Sequence, residues 1–185
     1  MPAPDAHESR PPRSVRRAAV LVPVFRDPGG VLRVVIVRRA AGGIHGGQLA
    51  FPGGGIEPRD GSPRDAALRE AEEEIGLPRE AVEVLADLPP LTTRTSGIAI
   101  APFLARIQPP ARWRPDPHEI AAVIEPRLDE LARPDAHGET LQRFAGHPEP
   151  QRISFVRVGG ERLWGASYRI LKPLLPRILA GEWSL

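Results

Sequence analysis

The sequence of 185 residues contains no cysteine. Disulfides, thiolate metal sites and cysteine nucleophiles are therefore excluded. Lysine is nearly absent: Lys172 stands alone, and the other 24 of the 25 basic residues are arginine. Aromatic residues make up only 5% of the chain. No run approaches the ~20 apolar residues of a membrane span. The longest early apolar run, Ala18 to Phe25, contains Pro23 and leads into Arg26 and Asp27 with no small-residue cleavage site. It reads as a strand rather than a signal peptide, and the chain as cytoplasmic with no membrane partner.

What is present is an ordinary globular mixture, 41% hydrophobic and 26% charged, of a length suited to one domain. Net charge is only +2 although the isoelectric point is near 9.9. Arginine stays charged to very high pH, so the high value does not signal a nucleic-acid binder. Arginine does suit bidentate phosphate recognition, which keeps phosphorylated substrates in view. The 23 prolines and 18 glycines imply many turns and short elements.

Residues 1–17 are basic, proline-rich and almost free of apolar groups, and read as a disordered arm ahead of a domain over 18–185. No aromatics interleave its arginines, so the arm reads as a solubilising tail, with no nucleic-acid partner. Ala18–Phe25 and Leu32–Val37 read as strands joined by the turn Asp27-Pro28-Gly29-Gly30, a hairpin. Ala40 to Gly61 reads as irregular. Ser62 is a natural N-cap, Pro63 suits the first helical position, and Gly76 is a natural stop, which predicts a helix over Ser62 to Ile75. Leu68, Ala71 and Ile75 give its buried face. Strands are predicted over Ala81–Leu88, Ile98–Ile107, Ile120–Ile124 and Ile153–Val158. Short and long helices are predicted over Arg127–Ala132 and Gly165–Leu179, the last interrupted by Pro173 and Pro176. The pattern implies an α/β chain with a mixed β-sheet sandwiched between helices, α/β/α.

The informative segment is Phe51-Pro52-Gly53-Gly54-Gly55 followed by Arg69-Glu70-Ala71-Glu72-Glu73-Glu74-Ile75-Gly76-Leu77. At about 100° per residue, Glu73 and Glu74 flank Glu70 at about 60° and 40°, while Glu72 points away. At ~4 Å and an effective dielectric near 20, each carboxylate pair costs about 4 kcal/mol before screening. Such a cluster is either fully solvated or neutralised by a cation. Oxygen-only ligands suit Mg²⁺ or Mn²⁺.

These residues resemble the Nudix hydrolase signature, G-x5-E-x7-R-E-U-x-E-E-x-G-U, with U aliphatic. Arg69, Glu70, Glu73, Glu74, Gly76 and Leu77 match its second half. A strict count places Gly61 where glutamate belongs. One extra loop residue places Asp60 there and Gly54 in the glycine place, and this alignment retains an acid. The resemblance implies a Nudix fold and hydrolysis of a nucleoside diphosphate linked to another group. It implies Glu70 and Glu74 as metal ligands, Glu73 as a further ligand oriented by Arg69, and a backbone carbonyl near Gly54 completing the shell.

Arg39 and the stretch Gly43-Ile44-His45-Gly46-Gly47-Gln48-Leu49-Ala50-Phe51-Pro52-Gly53-Gly54 look like the segment that precedes the signature in coenzyme A pyrophosphatases, as does the later Trp164-Gly165. Here that stretch is about one residue shorter, and an arginine often found within it is replaced around Gly43. The implied reaction cleaves coenzyme A or an acyl-CoA to 3′,5′-ADP and 4′-phosphopantetheine. A nucleoside diphosphate derivative such as ADP-ribose is the alternative substrate, and a non-catalytic Nudix ligand sensor the alternative class. Arg39, His45, Gln48 and Phe51 are candidate substrate contacts; His45 and Gln48 read equally well as loop caps. Glu119 lies where many Nudix enzymes carry a distal acid that binds metal or acts as base, and also reads as an exposed loop acid. Trp113, between Arg112 and Arg114, reads as a base-stacking residue or as a ring wedged under a proline turn. A small nucleotide-type substrate is the expected partner; a homodimer is left open.

Overall fold

A computed structural model of the protein describes residues 16–42, 46–94, 96–144 and 148–185. Its strands are β1 (Arg17–Arg26), β2 (Leu32–Val34), β3 (Ile36–Arg39), β4 (Leu49–Ala50) and β5 (Gly53–Gly55), then helix α1 (Pro63–Ile75). Strands β6 (Val82–Asp87), β7 (Leu91–Thr92), β8 (Ala99–Ile107) and β9 (Ile120–Ile124) follow, then the short helix α2 (Leu128–Leu131). Strands β10 (His137–Gln142), β11 (Gln151–Val158) and β12 (Glu161–Trp164) lead into helix α3 (Gly165–Leu179).

Strand β1 organises the molecule. It runs parallel to β8 and antiparallel to β2 and β5 in a six-stranded mixed sheet. Its period-two alternation feeds two cores. Ala19 and Leu21 face Ala67, Ala71 and Ile75 of α1, while Val22 and Val24 face the core that holds Leu171, Leu174 and Ile178 of α3. The expected α/β/α layering is thus present, with α1 and α3 on opposite faces of this sheet. It is not one sheet, however. Strands β4-β3-β9 and β10-β11-β12 form two further three-stranded antiparallel sheets.

The expected strand Leu32–Val37 divides at Val35. Val34, Val35, Ile36 and Val37 are all fully buried, which signals a chain passing from one sheet to another rather than one with a wet face. The Val35 N–H donates to the Pro23 carbonyl at the crossing. Pro173 and Pro176 do not divide α3. Both lie on its exposed side, where water can satisfy the carbonyls they leave unpaired, while Leu171, Leu174, Leu175 and Ile178 make the buried stripe. Arg17 already belongs to β1 and the Arg16 carbonyl accepts from the Ala99 N–H, so β1 starts ahead of the expected Ala18. The rest of the arm lies outside the described residues.

The segment expected to be irregular, Ala40 to Gly61, contains β4 and β5. In β5 the three glycines pair as Ala18↔Gly55, Ala19↔Gly54 and Val20↔Gly53. Gly53 has φ +148°, and a Cβ there would lie 2.3 Å from the Ala19 carbonyl oxygen and 2.6 Å from Val20 Cα. Neither atom of the central strand can yield. Gly53→Ala should therefore destabilise the fold by more than about 3 kcal/mol, backbone strain and overlap together. Urea unfolding measures this, and a loss below about 1 kcal/mol would show that β5 does not pack as described.

Candidate functional site

Helix α1 is built as its ends announce. The Ser62 Oγ accepts from the Asp65 N–H at 3.1 Å, Pro63 opens the helix, and Gly76 closes it in the left-handed region at φ +67°. Ala66, Ala67, Ala71 and Ile75 bury against the sheet, and Leu68 is partly buried beside them. The acidic residues take three different environments on the remaining surface.

Glu74 is the buried one, only 2% exposed, and its Oε2 accepts from the Gly53 N–H at 2.9 Å. Full solvation, one of the two readings open to the cluster, does not hold for Glu74, because β5 lies close over the end of the helix. Burial pushes the Glu74 carboxyl up to about 7, against the Gly53 N–H and the Arg39 guanidinium, which lower it. Arg39 approaches Glu74 Oε1 at 3.7 Å. Glu70 is half-withdrawn under Gly54, where a Cβ would lie 2.5 Å from its carboxyl carbon. Burial also raises the Glu70 carboxyl, opposed by Arg69. Glu73 is half-exposed, with one oxygen at 2.8 Å from Arg69 and the other at 3.2 Å from Arg59.

Arg69 joins these groups from beneath. Its Nε and one Nη donate to the two oxygens of Asp60 at 2.9 and 3.1 Å, and it also reaches Glu70, Glu73 and the Gly55 carbonyl. The guanidinium holds the Asp60 carboxyl down at about 2. Asp60 is the acid that the alignment with one extra loop residue sets in the acidic place of the signature, and it is gripped by the signature's Arg69. Its side chain is 3% exposed, so it supports Arg69 and does not face substrate.

The loop between β8 and β9 straps the far end of α1. The Arg114 N–H donates to the Ile75 carbonyl and the Asp116 N–H to the Glu74 carbonyl. The Asp116 carbonyl then accepts from Glu119, whose own carbonyl accepts from Ala40. The exposed Glu119 carboxylate adds to the upward push on both Glu70 and Glu74, so it faces the same site. Gln48 sits on the rim, where its carbonyl accepts from the Arg39 N–H. Phe51 requires a correction. It is 2% exposed within the core, its N–H donating to Ser167 Oγ at 3.3 Å, so its ring is withdrawn from any substrate. His45 lies outside the described residues.

Sequence reasoning missed the Gly53 N–H as a partner of Glu74 and Arg59 as a partner of Glu73. Neither carries a sequence signal; both follow from how the loop folds over α1. Among the described residues no three acidic or histidine side chains converge as a ready-made metal cage. The donor set nevertheless fits a hard divalent cation. Glu70 and Glu74 offer oxygen donors, both raised by burial and by neighbouring carboxylates, and Gly54 leaves bare the space that a side chain would fill against Glu70. Glu73, expected as a further ligand, has both oxygens engaged by arginine.

The raised Glu74 carboxyl makes stability depend on pH in metal-free protein. Its folded value of about 7 lies above the ordinary 4.5, so the folded state holds the proton more tightly. The contribution is full below pH 4.5 and is lost as pH rises through 7, up to about 3 kcal/mol. Urea unfolding with chelator should show a steeper loss of stability over that window in the native sequence than in Glu74→Gln. Parallel pH profiles would contradict the buried environment of Glu74.

The NUDIX domain family matches residues 15–145. Among curated proteins, the uncharacterized Nudix hydrolase NudL of Cronobacter sakazakii is 44% identical over 172 residues, covering 92% of this chain and 86% of its own. NudL of Salmonella paratyphi B is also 44% identical, covering 88% and 83%. Among solved structures, the M. smegmatis Nudix hydrolase RenU superposes with a TM-score of 0.61 at 21% identity, over 91% of this chain and 88% of its own. A MutT/nudix family protein from Enterococcus faecalis gives 0.62 at 19%, over 97% and 66%. These structures share the fold, and the curated relatives share nearly half of the residues over most of their length. The chain belongs to the Nudix hydrolase family.

Proposed function

We propose that the protein is a pyrophosphohydrolase, dependent on Mg²⁺ or Mn²⁺, that cleaves the diphosphate of coenzyme A or an acyl-CoA to 3′,5′-ADP and 4′-phosphopantetheine. The observation that carries the hydrolytic reading is the placement of Glu70 and Glu74 against Gly54 and Gly53, with Glu119 facing them and Arg39 on the rim. Glu70 and Glu74 would hold the divalent cation, which when bound would neutralise charge at the diphosphate and lower the pKa of water. The protein supplies the rest. Arg69 fixes Glu70 from below. Arg39 offers a guanidinium to the diphosphate, and Glu119 is positioned to take a proton from the attacking water. The choice of coenzyme A rests on the likeness of the Arg39 to Gly54 segment to coenzyme A pyrophosphatases. The place of this enzyme is the cytoplasm, and the arm ahead of β1 serves solubility.

Glu74→Gln removes a ligand charge and should lower turnover by two or more orders of magnitude while the protein still folds. Glu72→Gln, on the opposite side of α1, should be almost silent. Gly54→Ala should displace the Glu70 carboxylate rather than the backbone, lowering kcat far more than Tm. Near-native turnover in folded Glu74→Gln would sink the hydrolytic mechanism.

A substrate panel at matched Mg²⁺ tests the specificity separately. Coenzyme A carries a 3′-phosphate that dephospho-coenzyme A, ADP-ribose and NADH lack. One charge-assisted contact to it is worth ~1.5–3 kcal/mol, so kcat/KM for coenzyme A should exceed theirs about 10- to 150-fold. Faster cleavage of ADP-ribose would overturn the coenzyme A assignment and leave the hydrolytic reading intact.

A further inference from the structure

Behind α1, on the side away from Glu70 and Glu74, lies an open groove of about 850 Å³. Glu72, some 160° around the helix from both catalytic carboxylates, forms one wall. Pro78, Pro110, Arg112, Trp113 and Arg114 form much of the remainder. Nothing in the proposed hydrolysis uses this surface.

Its charge is uncompensated on one side. Glu72 is paired with Arg79 at 3.5 Å, so the acidic wall is neutralised. Among the described residues neither Arg112 nor Arg114 has an ion-pair partner, whereas twelve of the 22 described arginines do. Arg114 has one intrinsic reason to be there: α1 carries no basic residue in its last turn, and a cation complements the negative end of the helix. Arg112 has no such reason. The carbonyls of Glu74 and Ile75 at that helix end are already taken by the Asp116 and Arg114 N–H groups, so they do not compete for the guanidinium groups.

The rest of the groove is flat and apolar. Trp113 is half-buried, and its indole N–H donates to Glu125 Oε1 at 2.6 Å, which fixes the ring while part of it stays on the groove. Proline rings border it. A volume of this size lies within the range of small-ligand sites and far exceeds that of an inorganic anion. Guanidinium groups suit phosphates, and a fixed indole suits a planar base.

We propose that this groove is a second ligand site, separate from the hydrolytic centre, that binds a nucleotide with its phosphates on Arg112 and Arg114 and its base against Trp113.

The test uses the full-length protein with chelator present, so that the acidic face does not retain a diphosphate. Calorimetric titration with ADP should show one site. Arg112→Ser with Arg114→Ser should weaken it at least tenfold, the loss of charge-assisted contacts. Arg112→Lys with Arg114→Lys, which keeps the charges but loses the planar forks, should bind more tightly than the serine pair and so separates loss of charge from loss of fold. Glu70→Gln should leave the titration unchanged. Inorganic pyrophosphate and adenosine should each bind more weakly than ADP, and ADP should quench a fluorescence signal that Trp113→Phe abolishes. Absence of ADP binding, binding that survives the double serine change, or pyrophosphate binding as tightly as ADP would overturn the proposal. None of these outcomes depends on the hydrolytic reading.

Discussion

A single guanidinium spends nearly all its donors inside this protein. Arg69 is 8% exposed and reaches Asp60, Glu70, Glu73 and the Gly55 carbonyl at once. Removing it would leave Asp60 as an unpaired carboxylate in a pocket that is 3% exposed. The loop from Gly55 to Gly61 and the acidic side of α1 share one other guanidinium, the exposed Arg59, which reaches Glu57 and Glu73; Arg69 is the buried link. The planar fork of arginine suits this task, since a lysine would satisfy one acceptor direction at a time. Asp60 and Arg69 anchor one another; Glu70 and Glu73 take their positions from the same cation.

Glu74 depends on a different device. It is held by a backbone N–H at 2.9 Å, with the Arg39 cation farther off at 3.7 Å, and burial leaves the carboxyl easily protonated. The two withdrawn carboxylates therefore differ in what tunes them. Glu70 is balanced between burial and Arg69, Glu74 between burial and the weaker pull of Gly53 and Arg39. Both are also pushed up by Glu119, which the strap after β8 brings across from another part of the chain.

Much of this was legible in advance. Ser62, Pro63 and Gly76 bound α1 as helix-end chemistry requires, and the runs Ile120–Ile124 and Gly165–Leu179 form β9 and α3 with those limits. The carboxylate cluster follows from helical angles alone. Strand β5 was not legible, because three glycines have no side chains to alternate. Strand β10, His-Gly-Glu-Thr-Leu-Gln, is too polar to read as a strand and forms only because β11 offers a ladder. The burial of Glu74 depends on β5 and could not precede it. Phe51 misled for a related reason: an aromatic beside a glycine loop looks ready to stack, whereas its neighbours Leu49 and Val22 draw it into the core.

The parallel partnership of β1 with β8 sets the order in which a nascent chain can fold. Residues 17–26 emerge from the ribosome early, but their central neighbour at 99–107 emerges only after more than half of the chain. Helix α1, complete by residue 75, therefore waits with Ala67, Ala71 and Ile75 uncovered on one side until β8 arrives to finish the floor beneath it. Local turns and the β1–β2 hairpin can form in the meantime, but long-range pairing must precede closure of the catalytic cleft. Chains interrupted during synthesis before residue 107 would carry Glu70, Glu73 and Glu74 on α1 yet lack the central strand that completes the sheet beneath them.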